Sequence, residues 1–253
     1  GDTRYKARVE SGIQFLRDYH LQEDTGGYAW LLDVNGKACK VVDATNHCYG
    51  LAFVILDYSW ALRAGVKEAE LYIHDAFELM ETHFWDAEYG LYKDEFNADF
   101  SRCSDYRGQN ANMHSCEALI AAFEATGHGP FLERALLLAH NITERQADKA
   151  DGRIWEHYTK TWEVDWEYNK NDPKNLFRPW GFQPGHHTEW AKLLLQIHQY
   201  QPQDWLVARA RSLFDAVIDI SWDNENGGLY YGFAPDSRIC DDEKYFWVQA
   251  ESF

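Results

Sequence analysis

The sequence predicts an all-α fold built from repeated pairs of helices, and two observations carry that expectation. A tight glycine turn set between aromatic residues occurs four times, and helical stretches lie before and after each copy. The copies are Asp24-Thr-Gly-Gly-Tyr-Ala-Trp30, Trp85-Asp-Ala-Glu-Tyr-Gly-Leu-Tyr92, Asp148-Lys-Ala-Asp-Gly-Arg-Ile-Trp155 and Trp222-Asp-Asn-Glu-Asn-Gly-Gly-Leu-Tyr-Tyr231. Their glycines, Gly27, Gly90, Gly152 and Gly228, stand 63, 62 and 76 residues apart, so the chain reads as one domain over 1–253.

Each element follows from local pattern. Residues near 4–20 form the first helix of the first pair, and the glycine turn breaks it. The second helices are expected near 43–64, 110–126, 185–200 and from 245 onward. Leu51-Ala-Phe-Val-Ile-Leu56 is apolar most of the way round, as in a helix buried on several sides. Before the last turn, Leu206, Ala210, Leu213, Val217 and Ile220 share one stripe, which marks an amphipathic helix lying on a core. Short hairpins at the glycine turns account for the little strand expected.

Repeated helix pairs stack as an open solenoid or close into a toroid. Set in register, the starts of the second helices read His47-Cys-Tyr-Gly50, His114-Ser-Cys-Glu117, His186-His-Thr-Glu189 and Val248-Gln-Ala-Glu251. Polar groups repeated at one place suit a ring that gathers them at one mouth. The fullest copy is Arg178-Pro-Trp-Gly-Phe-Gln-Pro-Gly-His-His-Thr-Glu-Trp190. Pro184 and Gly185 end an irregular segment, and Trp190, Leu193, Leu194 and Ile197 then recur at helical spacing. His186 and Glu189, at i and i+3, share a face of the first turn, while His187 points roughly 100° away. Acidic residues in a first turn also complement the helix dipole, and a lone histidine there also serves as a cap. At His186 and Glu189, beside Trp180 and Trp190, several site-like features coincide. The other histidines, His20, His74, His83, His128, His140, His157 and His198, lack such company and read as surface or core.

Composition narrows the partners. The chain is 45% apolar with eleven Trp, fifteen Tyr and fourteen Phe, enough for a sizeable core and for aromatic platforms of the kind that line sugar sites. A formal charge of −17 argues against nucleic acid and anionic membrane. A small neutral or cationic substrate fits better. Cys39, Cys48, Cys103, Cys116 and Cys240 lack metal-type spacing and are odd in number, which suits a reducing cytoplasm. No apolar run approaches the ~20 residues that span a bilayer, and Gly-Asp-Thr-Arg-Tyr is not the start of a signal peptide.

Three segments carry a resemblance: Asp105-Tyr-Arg-Gly-Gln-Asn-Ala-Asn-Met-His-Ser-Cys-Glu-Ala-Leu119, Arg178 to Leu195, and Lys244-Tyr-Phe-Trp-Val-Gln-Ala-Glu-Ser-Phe253. Together they resemble the N-acylglucosamine 2-epimerase superfamily, and the Arg-Pro-Trp-Gly-Phe-Gln-Pro-Gly-His form looks most like its aldose–ketose isomerase branch. The resemblance implies an (α/α)6 barrel, or toroid, that isomerises or epimerises sugars. It implies catalytic roles for His186, Glu189 and His114, and a pocket lined by Tyr49, Asn110, Arg178, Trp180, Trp247, Gln249 and Glu251. The chain departs from it in holding about four helix pairs where six close the ring. It therefore looks truncated at both ends, unless a second copy in a homodimer covers the open seam.

The chemistry so implied interconverts an aldose of the mannose type and its 2-ketose through a cis-enediol, and needs no redox cofactor. A histidine with an ordinary pKa of about 6.5 takes a proton from C2 and returns one near neutral pH. His186 is the expected base, with Glu189 orienting its ring and His114 acting on the ring or enediolate oxygen. No metal is expected, since zinc spacing is absent and hard cations want more carboxylates. The alternatives are 2-epimerisation of N-acetylglucosamine or a related sugar, glycoside hydrolysis by pairs drawn from Glu117, Glu189 and Glu251, and a non-enzymatic helical-repeat binding module.

Overall fold

The computed structural model describes residues 3–35 and 38–253. Eight α-helices occur among them: α1 (Thr3–Phe15), α2 (Cys48–Arg63), α3 (Ala69–Leu79), α4 (Gln109–Thr126), α5 (Gly129–His140), α6 (Pro184–Tyr200), α7 (Asp204–Ser221) and α8 (Phe246–Glu251). They alternate as the sequence predicts, with each glycine turn leading from an odd-numbered helix to an even-numbered one. The chain divides into two compact units, one of Gly1–Tyr106 with His114–Ala135, the other of Arg107–Met113 with Leu136–Phe253. In the first, α2 packs against α1 and α3; in the second, α6 packs against α7 and α8.

Burial follows the apolar pattern. Along α2, Leu51, Ala52, Val54, Ile55, Tyr58 and Ala61 are all buried, as expected of a helix covered on several sides. The stripe of α7 holds at Leu206, Ala210, Leu213 and Val217, but its last buried member is Ser221 and Ile220 is only half-buried. Three odd-numbered helices widen into a π-helical turn just before the glycine turn, at Leu16–His20, Met80–Phe84 and Asn141–Gln146. The widened turn recurs at one place in the repeat, where the helix passes into the loop.

The strands differ from expectation. Among the described residues a two-residue strand pair closes a glycine turn at Trp85–Asp86 with Leu91–Tyr92, around Gly90 at φ +63°, while single antiparallel bridges close the first and last turns, Leu21 with Tyr28 and Trp222 with Leu229. The longest pair, Leu31–Asn35 with Ala38–Asp43, follows the first turn and delays α2 to Cys48. Other pairs tie α2, α4 and α6 each to the loop after the next odd-numbered helix. Asn46 pairs with Phe96, Arg107 with Tyr158 and Phe182 with Phe233, always two residues before the helix begins. The first helical N–H then finds a carbonyl in that same loop: Cys48 donates to Asp94 at 2.8 Å and Gln109 donates to Glu156 at 3.2 Å. In the third copy that position is Pro184, which has no N–H to satisfy and whose ring favours the first helical turn.

This pairing fixes the register of the repeat and corrects the alignment read from sequence. Cys48, Gln109, Pro184 and Phe246 are equivalent helix starts. His186 then matches Ala111 and Gly50, while His114 matches Glu189, Glu251 and Phe53. Aligned on their imidazoles with His186, His47 and His114 would each stand one helical turn out of place, because strand pairing rather than histidine position decides the register. The turn glycines shift likewise: Gly26 and Gly227, at φ +72° and +71°, correspond to Gly90. Gly27 serves close approach instead, since a Cβ there would lie 2.2 Å from the Asn46 amide oxygen.

Candidate active site

In the unit that holds α6, the start of that helix is built for proximity. Gln183 is extended, Pro184 sets the first helical φ, and Gly185 lets Trp247 and Val248 of α8 lie against the backbone. A Cβ at 185 would stand 2.5 Å from the Trp247 ring. We expect Gly185→Ala to displace α8 and to lower stability by about 1–3 kcal/mol, the usual cost of overpacking. Urea denaturation of the variant measures it.

The two adjacent histidines do different work. His187 is wholly buried, its Nδ1–H donating to the Gln183 carbonyl at 2.8 Å and its Nε2 accepting from the Ile154 N–H at 3.0 Å. Burial pushes its pKa down to about 4, so it is a neutral pin between α6 and the loop after the third glycine turn. His186, about 100° round the helix, faces a carboxylate. Its Nδ1 lies 3.0 and 2.9 Å from the two oxygens of Glu156. Glu156 also accepts from the Gln109 side-chain amide at 3.0 Å, and it is only 4% exposed.

Burial opposes both charges, but each partner offsets it for the other. Glu156 is held below the usual carboxylate range because the charge and hydrogen bonding of His186, together with the Gln109 donor, outweigh desolvation. His186 is raised above an ordinary histidine, since the charge and hydrogen bond of Glu156, with the nearby charge of Glu189, outweigh the same penalty. An ionised carboxylate only accepts, so Nδ1 carries a proton and donates to it. Nε2, which makes no hydrogen bond among the described residues, is left as the basic atom.

Aromatic rings complete this cluster. Trp247 lies 5.4 Å from the His186 ring, and Tyr231 stands 6.0 Å from Trp247 and 4.2 Å from Tyr245. Burial and the charge of Glu156 push the Tyr231 hydroxyl well up, which keeps it a neutral donor. The side-chain oxygen of Asn110 is buried with no hydrogen-bond partner among the described residues, an acceptor that a ligand hydroxyl would satisfy.

The remaining expected residues of this unit divide. Glu189 is buried, but the carboxylate that orients His186 is Glu156, which corrects the role read from sequence. Lys192 lies 4.0 Å from Glu189 and 2.6 Å from Glu251, and so bridges α6 and α8. The Gln249 amide is spent on the backbone of Leu229, accepting from its N–H and donating to its carbonyl at 2.9 Å each. It holds the last glycine turn in place. Arg178 donates to the Tyr168 hydroxyl at 3.0 Å and Trp180 donates to the Trp166 carbonyl at 2.7 Å, both within the loop that precedes α6.

In the other unit, His114 lies on the sixth residue of α4 and has its own carboxylate: Nδ1 is 3.1 Å from Glu117. Tyr49 and Phe53 of α2 pack on its ring at 5.1 and 4.9 Å. Trp30 lies over His47 at 4.3 Å and beside Tyr49 at 6.3 Å. This unit also has clefts of about 440 Å³, by Arg17, Tyr28 and Asp75, and about 490 Å³, by Glu95, Asn97 and Arg102. Neither is lined by an imidazole–carboxylate pair like those of His114 and His186, so chemistry rather than volume places the site.

Glu156 is the residue that sequence reading missed, and a signal for it existed. It stands four residues after Gly152, where the other copies carry Trp30, Asp94 and Tyr231. Trp30 and Tyr231 pack on residues at the starts of α2 and α8, and Glu156 on those at the starts of α4 and α6. The position after the turn thus serves the helix starts throughout the repeat.

A buried imidazole–carboxylate couple at the start of a paired helix thus defines the site. The family model described as N-acylglucosamine 2-epimerase (GlcNAc 2-epimerase) matches residues 1–253, and the chain belongs to that family. It is 56% identical over 252 residues to a D-mannose isomerase of Marinomonas mediterranea, covering 99% of this chain and 63% of that protein. A crystal structure of D-mannose isomerase superposes with a TM-score of 0.95 at 55% identity, covering 99% of this chain and 63% of that one. The fold is therefore that of the (α/α)6 proteins expected from sequence. A cellobiose 2-epimerase structure from Spirochaeta thermophila, at 19% identity, 99% and 61% coverage and a TM-score of 0.82, shares the fold alone. The chain spans about 63% of the length of the curated relative it matches at 56% identity.

Proposed function

We propose that the protein is a sugar isomerase that interconverts a neutral aldose of the D-mannose type and its 2-ketose. The observation that carries this reading is the buried His186–Glu156 pair, with Nε2 as the basic atom, in a chain so similar to D-mannose isomerases. Nε2 of His186 takes the proton from C2, and the imidazolium so formed is stabilised by Glu156 at 2.9 Å. The cis-enediol then receives a proton at C1. Asn110 and Tyr231 offer an acceptor and a donor to sugar hydroxyls, and Trp247 covers an apolar sugar face. His114, paired with Glu117 at 3.1 Å, is a second imidazole–carboxylate couple of the same kind, for which the family resemblance implies a catalytic role.

A single domain, a cytoplasmic setting and a homodimer belong to the same proposal. Among the described residues no helix is long and apolar enough to cross a membrane. No metal takes part in the proposed proton transfer, and we expect prolonged dialysis against EDTA to leave the rate within about twofold, against the large losses that follow loss of a catalytic metal. The deciding experiment incubates the purified protein with mannose, fructose, glucose and N-acetylglucosamine in deuterated water and follows products by NMR. Ketose formation with solvent label supports the isomerase. A 2-epimer as sole product replaces it with an epimerase, and absence of exchange with every sugar refutes both.

A further inference from the structure

We infer that Trp190 is a positioning residue, whose indole N–H fixes the orientation of the Gln109 amide and through it keeps a donor on the Glu156 carboxylate that holds His186. The inference rests on the isomerase reading for its catalytic consequence, but its structural half stands without any substrate. Trp190 and Gln109 are both wholly buried, and the indole Nε1 donates to Gln109 Oε1 at 2.7 Å. An indole only donates, so the oxygen end of the amide must face Trp190. The NH2 end is thereby turned to Glu156, 3.0 Å away, and it also lies 3.0 Å from His186 Nδ1. Gln109, Glu156 and Nδ1 thus form a triangle with sides of about 3 Å.

Within that triangle the ionised Glu156 gathers both donors. Both the Gln109 NH2 and Nδ1–H donate to the ionised Glu156, and the lone pair of neutral His186 falls on Nε2. A flipped amide would set Oε1 against the carboxylate and offer Nδ1–H a second acceptor. Glu156 would then lose a donor while staying buried, which makes its charge costlier and weakens its hold on His186. The indole N–H prevents the flip, since flipping would leave two donors facing each other in a dry site. The other groups that bear on His186 are Glu189 on its own helix, countered by Lys192, and His157, His187 and Tyr231 around Glu156. None of them contacts the Gln109 oxygen.

The test uses protein labelled with ¹⁵N-histidine and long-range ¹H–¹⁵N NMR across pH, with His186→Gln to assign the resonance. In the unsubstituted protein neutral His186 should be the Nδ1–H form and titrate above an ordinary histidine. Trp190→Phe keeps the ring and removes the donor. We expect it to lower the His186 titration midpoint by about half a pH unit or more. With sugar, kcat should fall about three- to tenfold, the weight of one neutral hydrogen bond, with KM little changed and the acid limb of the rate moved to lower pH. Gln109→Met should shift His186 the same way, and adding Trp190→Phe to it should change the midpoint no further. An unshifted His186 in either single variant, or shifts that add in the double, overturns the proposal. Should Trp190→Phe not fold, Gln109→Met decides alone. Because the titration needs no sugar, its failure is separable from failure of the isomerase reading.

Discussion

His186→Ala should abolish deuterium exchange at C2 of the sugar, a loss of about 10³-fold or more, comparable to removing a principal general base. The expectation follows from what is left behind. Without the imidazole, no other group in its unit presents a basic nitrogen beside Glu156: His187 is pinned at both nitrogens, and His157 donates its Nε2–H to the Pro179 carbonyl at 2.8 Å. Burial also lowers the pKa of both. The substitution leaves Glu156 buried with Gln109 as its remaining partner, so some stability is lost as well, and circular dichroism must show the variant folded before its rate is compared. Single-turnover exchange in deuterated water reads the effect. A folded His186→Ala protein that exchanges C2 at the original rate removes His186 from the mechanism.

Most of the architecture was legible because helix-forming periodicity and glycine turns are local signals. The stripe of α7 and the run at Leu51–Leu56 state which faces are buried without reference to the rest of the chain. The register between repeats was not legible, because it is set by strand pairs such as Asn46 with Phe96 and Arg107 with Tyr158, each joining segments about 50 residues apart. Spacing alone offered His–x–x–Glu twice, and the two copies turned out to sit one helical turn apart. The same limit hid Glu156. Its burial comes from the loop after a π-helical turn folding onto two helix starts, and no periodicity in 148–158 announces it. Gln249 shows the converse: its place in the sequence suits a sugar ligand, yet its amide closes the backbone of Leu229.

Glu156→Gln should lower kcat by about 10²- to 10⁴-fold, the range seen when a catalytic histidine loses its orienting carboxylate, and should displace the pH profile in a direction that Glu189→Gln does not match in size. His186 acts as a base, so the rate rises with pH as it loses its proton, and the Glu156 charge places that acid limb above the ordinary histidine value of about 6.5. With a neutral amide in place of the carboxylate, burial prevails, the His186 pKa falls, and the limb moves to lower pH. Glu189 reaches His186 by charge alone, as the smallest of its named influences, so its amide variant should move the limb less. Stability follows the same couple. The raised His186 stabilises the fold below about pH 6.5 and loses that contribution as pH rises through its folded value. The lowered Glu156 contributes above the ordinary carboxylate range of about 4.3 and loses it as pH falls through its folded value. The two overlap between about pH 4.3 and 6.5, so the unsubstituted protein should exceed Glu156→Gln in Tm most strongly in that window, with the gap narrowing at higher pH as His186 becomes neutral. Thermal melts of both proteins at half-unit pH steps measure this, and a Tm gap that does not vary with pH would show that the pair carries no linked charge.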